Sequence, residues 1–142
     1  MNLPTRKEIN VHDSLDERHA CEIFYDKTLE QAEALFRENF LACQEDLMWM
    51  GVTAFRFYVH AAIRYIHSPE SQGDSDAINC FITLLEFRLE QEPEELRPVA
   101  QELTAACRYV ITHYDHFGSD QKIYGDLRPR YESLIQKLSE NS

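Results

Sequence analysis

The chain is predicted to be all-α. Three observations carry that reading. Capping-box signals precede apolar runs, apolar residues recur at helical spacing from Ser14 almost to the C-terminus, and no segment alternates apolar and polar residues between turns as a strand would. Helices that each carry one apolar stripe must bury it against one another. The expected architecture is a single-domain antiparallel helical bundle, or an orthogonal helical array, of five or six helices over residues 1–142. Residues 1–13 and 140–142 are expected to be loosely ordered.

The elements follow in order. Ser14-Leu15-Asp16-Glu17 is a capping box, and a short helix should run from it to about Phe24. Thr28-Leu29-Glu30-Gln31 repeats the signal. Leu29, Ala32, Leu35, Phe36 and Phe40 then share one face, opposite Glu30, Glu33 and Arg37. Residues 41–50 either continue that helix or turn away from it, and Gly51 punctuates them. In Val52 to His67 the buried stripe is Phe55, Val59, Ala62, Ile63 and Ile66, while Arg56, His60, Arg64 and His67 form a basic stripe. Residues 68–74 read as a loop, and Asp74 or Ser75 caps a helix to about Gln91. Its apolar residues, among them Ile78, Phe81, Ile82, Leu84 and Leu85, cover more than one face and mark it as the most enclosed helix.

Pro93 and Pro98 bracket an acidic turn, after which a longer helix starts. Its stripe is Val99, Leu103, Ala106, Cys107, Val110 and Tyr114, and Gly118 ends it. Ser119 to Gly125 is a connector with room for one helical turn. Asp126 caps a last helix that docks through Tyr131, Leu134, Ile135 and Leu138 and tolerates Pro129 in its first turn.

Charge narrows the classes of function. There are 25 acidic and 14 basic residues, a formal net charge of −11. A field of that sign repels phosphate, so neither nucleic acid nor a membrane is an expected partner. The N-terminal residues lack the apolar run of a signal peptide, and no stretch is apolar enough to span a bilayer, so a cytoplasmic location is expected. Cys21, Cys43, Cys80 and Cys107 lie far apart among apolar residues and read as buried, reduced thiols rather than a metal site.

No pattern of catalytic residues stands out. Gly-x-Ser-x-Gly, a glycine-rich phosphate loop and the Glu-x-x-His pairs of di-iron bundles are all missing, so an enzyme is not the expected reading and no cofactor is implied. The densest set of potential ligands is His113, Asp115 and His116. It is either a polar helix end or part of a metal site for a metal-dependent enzyme, with no evident further ligand. Leu47 to Phe55, with Met48, Trp49 and Met50, reads as a core plug between helices or as an adaptable binding groove. His60 to Ile66 echoes Thr104 to Val110 at an offset of 44 residues, which leaves a helical-repeat scaffold as an alternative.

Charge segregation is the best functional clue. Residues 13–46 hold ten acids and three bases, and residues 70–102 hold nine acids and two bases. On the helix over 75–91, Asn79, Thr83, Glu86 and Glu90 share the polar side, and Glu92, Glu94 and Glu95 continue it into the next turn. Such a face suits a basic protein partner. The sequence leaves oligomeric state undetermined.

The residues from Leu29 to Pro69, with Leu29-Glu30-Gln31-Ala32-Glu33-Ala34-Leu35-Phe36-Arg37-Glu38-Asn39 and Glu45-Asp46-Leu47-Met48-Trp49-Met50-Gly51 followed by Ala54-Phe55, resemble small uncharacterised acidic bacterial helical proteins. Pro93-Glu94-Glu95-Leu96-Arg97-Pro98 does too. In that family the stretch matching Tyr58 to Ala61 tends to carry a proline where this chain has His60. The resemblance covers about half the chain and implies a bacterial source, with no known activity. Some small acidic bacterial proteins of this kind are immunity proteins that inhibit toxins.

Overall fold

The computed structural model describes residues 2–118 and 121–141; the connector expected over Ser119 to Gly125 lies partly outside them, as does Ser142. Among the described residues the chain is all-α, with no strand. Among these residues nine α-helices appear in order: α1 (Arg6–Ile9), α2 (Leu15–Phe24), α3 (Leu29–Glu38), α4 (Phe40–Trp49), α5 (Val52–His67), α6 (Ser75–Gln91), α7 (Ala100–Thr112), α8 (Gln121–Tyr124) and α9 (Arg128–Asn141). Short 3-10 turns occupy Pro69–Ser71, Pro93–Val99 and Tyr114–Phe117. The chain divides into two compact units, residues 1–65 and 66–142.

In the first unit, side-chain caps decide where each short helix begins. The Ser14 hydroxyl accepts from the Glu17 amide, and the Glu17 carboxylate returns to the Ser14 backbone, so the expected capping box forms. Glu17 is buried and also takes the His12 amide at 2.9 Å. Burial pushes its carboxyl up, but the Ser14 hydroxyl and the two amides outweigh that and hold it below its ordinary value. Thr28 and Gln31 form the second box at the start of α3.

Two segments in this unit differ from expectation. The stretch expected to be loose, 1–13, contains α1, capped by Thr5 and Glu8 in a third capping box, with Ile9 fully buried. Gly51 explains the tie. Its amide donates to the Ile9 carbonyl at 2.9 Å, and a Cβ there would lie 2.1 Å from the Glu8 carbonyl oxygen. Asn39 settles the ambiguity over 41–50. It breaks the helical run and its side chain accepts from the Ala42 amide, so α4 starts afresh and packs on α2 and α3. Leu47, Met50, Ala54 and Phe55 are core, as a plug requires, while Trp49 stays at the surface.

Phe24, Phe36, Phe40, Tyr58 and Tyr65 form a chain of ring contacts with centroids 5.0–6.0 Å apart. Tyr58 is fully buried, and its hydroxyl reaches the carbonyls of Phe24 (2.7 Å) and Lys27 (2.9 Å), closing the turn between α2 and α3. Ile63, expected in the core, is half-buried instead. The α5 residues that take the interior are Ala54, Phe55, Tyr58, Val59, Ala61, Ala62, Tyr65 and Ile66. Ile63 widens the expected stripe on one side because it is apolar, and Tyr58 and Tyr65 fall outside it because of their hydroxyls.

In the second unit, Asp74 caps α6 through the Ala77 amide as expected, and nine of the seventeen residues of α6 are buried. The Pro93–Val99 segment is one 3-10 turn, so α7 begins at Ala100 rather than Pro98. The two stretches of the 44-residue echo, His60 to Ile66 and Thr104 to Val110, are both α-helical, whereas Leu96 to Val99, 44 residues after the α-helical Val52 to Phe55, is 3-10. The helix α7 stops at Thr112, and Gly118, in the left-handed region at φ +60, ends the 3-10 turn that follows.

The last helix runs parallel to α6 and antiparallel to α7. Tyr131 reaches the Ile78 carbonyl and Asn141 reaches the Pro93 carbonyl, while the Tyr114 hydroxyl accepts from the Leu127 amide at 2.9 Å. All four cysteines are free and buried, and burial pushes the Cys43 and Cys107 thiols up to about 12. Replacing Leu85 (1% exposed) with Ala should cost about 2–5 kcal/mol in denaturant unfolding. A loss below about 1 kcal/mol would mean that α6 is not the core element of its unit.

Candidate functional site

Two grooves hold five of the charged residues singled out from the sequence, Glu86 and Glu90 in one and Arg56, His60 and Arg64 in the other. The first belongs to the second unit and lies between the C-terminal halves of α6 and α9. It has a volume of about 610 Å3 and is lined by Glu86, Leu89, Glu90, Pro93, Leu134, Lys137, Glu140 and Asn141. Leu89, Pro93 and Leu134 give it an apolar floor. Three glutamates and one lysine make its rim. The C-terminal ends of both helices meet here, since Asn141 donates to the Pro93 carbonyl and the Arg97 Nε donates to the Asn141 carbonyl at 2.9 Å. Each such end carries partial negative charge, which adds to that of the carboxylates.

The five glutamates expected on the acidic face are thus placed differently. Glu86 and Glu90 line the groove. Glu86 is held by Arg130 of α9, whose guanidinium spans both carboxylate oxygens and also approaches the Thr83 hydroxyl at 3.4 Å. Glu92 turns back along its own helix, with Oε2 3.6 Å from the buried Arg88 guanidinium. Glu94 and Glu95 are exposed on the 3-10 turn and outside the groove lining. Half of the lining comes from α9, which sequence spacing on one helix had no means of revealing; only Leu134 was marked, as a docking residue.

The second groove belongs to the first unit. It has a volume of about 510 Å3 and is lined by Leu29, Arg56, Phe57, His60, Ile63 and Arg64. Three of the four basic-stripe residues meet there. Arg64 also pairs with Glu33 at 2.9 Å.

The fourth, His67, stacks on Tyr109 with centroids 4.0 Å apart, and Tyr109 stacks in turn on His113 at 4.1 Å. His113 Nδ1 lies 3.1 Å from the Tyr109 carbonyl oxygen. His116 turns elsewhere, with Nε2 3.1 Å from the Ser71 hydroxyl, which also contacts the Ile66 and Ser68 carbonyls. The Gly73 amide donates to the His116 carbonyl at 2.9 Å, so His116 joins the loops on either side of α6 and α7. His113, Asp115 and His116 therefore do not converge on one point, and among the described residues no group of three His, Cys, Asp or Glu side chains is placed to hold a metal ion. The His19–Asp46 pair, 2.7 Å apart, was not foreseen because 27 residues separate its members. Hydrogen bonding to Asp46 raises His19, while burial raises Asp46 despite its partner.

No family model matches the chain, and neither a curated protein nor a solved structure does. Among the described residues no helix is long and apolar enough to cross a membrane.

The histidine stack has a pH signature. Burial, and then the neighbouring His113, hold His67 below its ordinary value. A histidine whose folded pKa is depressed binds its proton more readily when unfolded. Its contribution to stability is therefore present above the unfolded pKa of about 6.5 and is lost as pH falls through that value toward the folded one. NMR titration of His67 should show a midpoint below that of a histidine in a random coil. A midpoint above it would show that the stack does not exclude water from the ring.

Proposed function

We propose that this chain is a non-enzymatic cytoplasmic binding protein that holds a basic protein partner in the groove between α6 and α9, as an inhibitor of the immunity-protein kind. The observation that carries the reading is the composition of that groove. Glutamates at 86, 90 and 140 surround an apolar floor of Leu89, Pro93 and Leu134. A solvated acidic face needs no such floor. A partner helix or loop with lysines or arginines flanking an apolar side chain satisfies both parts at once.

The electrostatics fit recognition better than tight permanent burial. Glu90 and Glu140 are exposed, so their attraction acts at a distance and steers encounter. Glu86 meets Arg130 already, and an arriving cation would share that carboxylate. The second unit holds fourteen acids and seven bases, so the field around the groove favours a cation from any approach.

The test uses a helical peptide of about fifteen residues built from leucine and lysine at helical spacing. The Glu86→Lys, Glu90→Lys, Glu94→Lys triple variant should associate with it at least about tenfold more slowly at low salt, with dissociation changed less. Raising the salt should narrow the difference. Equal association rates for both proteins at every ionic strength would exclude the acidic groove as the recognition surface.

A further inference from the structure

We infer that the groove on α5 is a second docking surface, fitted to an acidic amphipathic helix of a partner protein. Helix α5 encloses one apolar face and leaves two apolar residues part-covered beside it. Phe55, Val59, Ala62 and Ile66 are fully buried. Phe57 and Ile63 remain half-buried on either side of the basic row, about 120° apart around the helix, and with Leu29 of α3 they edge a groove. Arg56, His60 and Arg64 follow one another at four-residue steps and so form a single row along that groove.

Charge complementarity selects the occupant. The groove lining contains two arginines, one histidine and no carboxylate. This stands out in a chain of net charge −11. The Arg64 Nε faces the Glu33 carboxylate as donor, an arrangement that orients the guanidinium at the groove edge. A helix with apolar residues at i, i+3 and i+7 and glutamates beside them sets its apolar row along one apolar edge of the groove and its carboxylates against the arginine row. Arginine and aromatic side chains are also the residues that dominate interface energetics. The first unit as a whole carries eleven acids and seven bases, which opposes an acidic ligand at long range. At an ionic strength of about 0.15 M that repulsion is screened beyond about 8 Å, whereas contacts in the groove are not.

The experiment titrates the 15N-labelled full chain with a leucine/glutamate helical peptide of about fifteen residues, beside leucine/glutamine and leucine/lysine peptides of the same spacing. The expected result is shift changes centred on Leu29 and residues 56–64 with the leucine/glutamate peptide alone. Arg56→Gln, Arg64→Gln should weaken that binding about tenfold, with the far-ultraviolet circular dichroism and melting temperature of the native chain retained. Should the double variant fold poorly, His60→Glu serves in its place with the same expected loss. The Glu86→Gln, Glu90→Gln protein, which weakens the acidic groove without making it basic, should bind the leucine/glutamate peptide as the native chain does, which separates this inference from the acidic-groove reading. No shift changes up to millimolar peptide would overturn the inference. So would equal binding of the leucine/glutamine peptide, changes centred elsewhere, or binding indifferent to the arginine substitutions.

Discussion

Tyr131 is fully buried at the start of α9, and its hydroxyl donates to the carbonyl of Ile78 in the first turn of α6. A buried phenol without a partner would cost about 1–3 kcal/mol, so this one contact selects a single register for the helix. What surrounds the acidic groove follows from that register. Arg130, next in sequence, meets Glu86; Leu134, one turn on, floors the groove; Asn141 closes its end on Pro93. Tyr58 has the matching role in the first unit, where its hydroxyl fixes the turn between α2 and α3 and so the position of Leu29. In both units a buried aromatic ring contributes apolar area while its hydroxyl satisfies a backbone carbonyl, and a groove is built beside the result.

The helical class was legible because its signals are local. Capping boxes at Ser14 and Thr28, the Asp74 cap and the apolar spacing of α6 and α7 act within a few residues, and the structure forms each of them. The readings that departed from the structure depended on distant partners. Ile63 is apolar and periodic, yet no element covers it fully. The segment 1–13 lacks a long apolar run, but Gly51 lets α1 approach closely enough for Ile9 to be enclosed. The boundary at Asn39 was ambiguous because asparagine both breaks a helix and caps one, and only the Ala42 contact shows that it does both here.

The candidate sites divide in the same way. One-helix spacing placed Glu86 and Glu90 together, and Arg56, His60 and Arg64 together, because i, i+4 neighbours share a face whatever packs against them. It had no information about turn geometry, so Glu92, which turns to Arg88, was grouped with Glu94 and Glu95. It also gave no warning that His113 would stack on Tyr109 while His116 faced Ser71, which takes apart the densest ligand cluster in the sequence. Two oppositely charged grooves are what remains when these corrections are made. Both pair charge with apolar residues, the exposed Pro93 over buried Leu89 and Leu134 in one and the half-buried Phe57 and Ile63 in the other.

The most direct test of the binding-protein account maps where a basic amphipathic helix settles. The measurement is amide shift perturbation of the 15N-labelled chain on adding the leucine/lysine peptide at about 0.15 M salt. The account predicts changes concentrated in residues 86–93 and 134–141, the segments that line the acidic groove. Changes spread over the acidic surface at large, or none up to millimolar peptide, would contradict it.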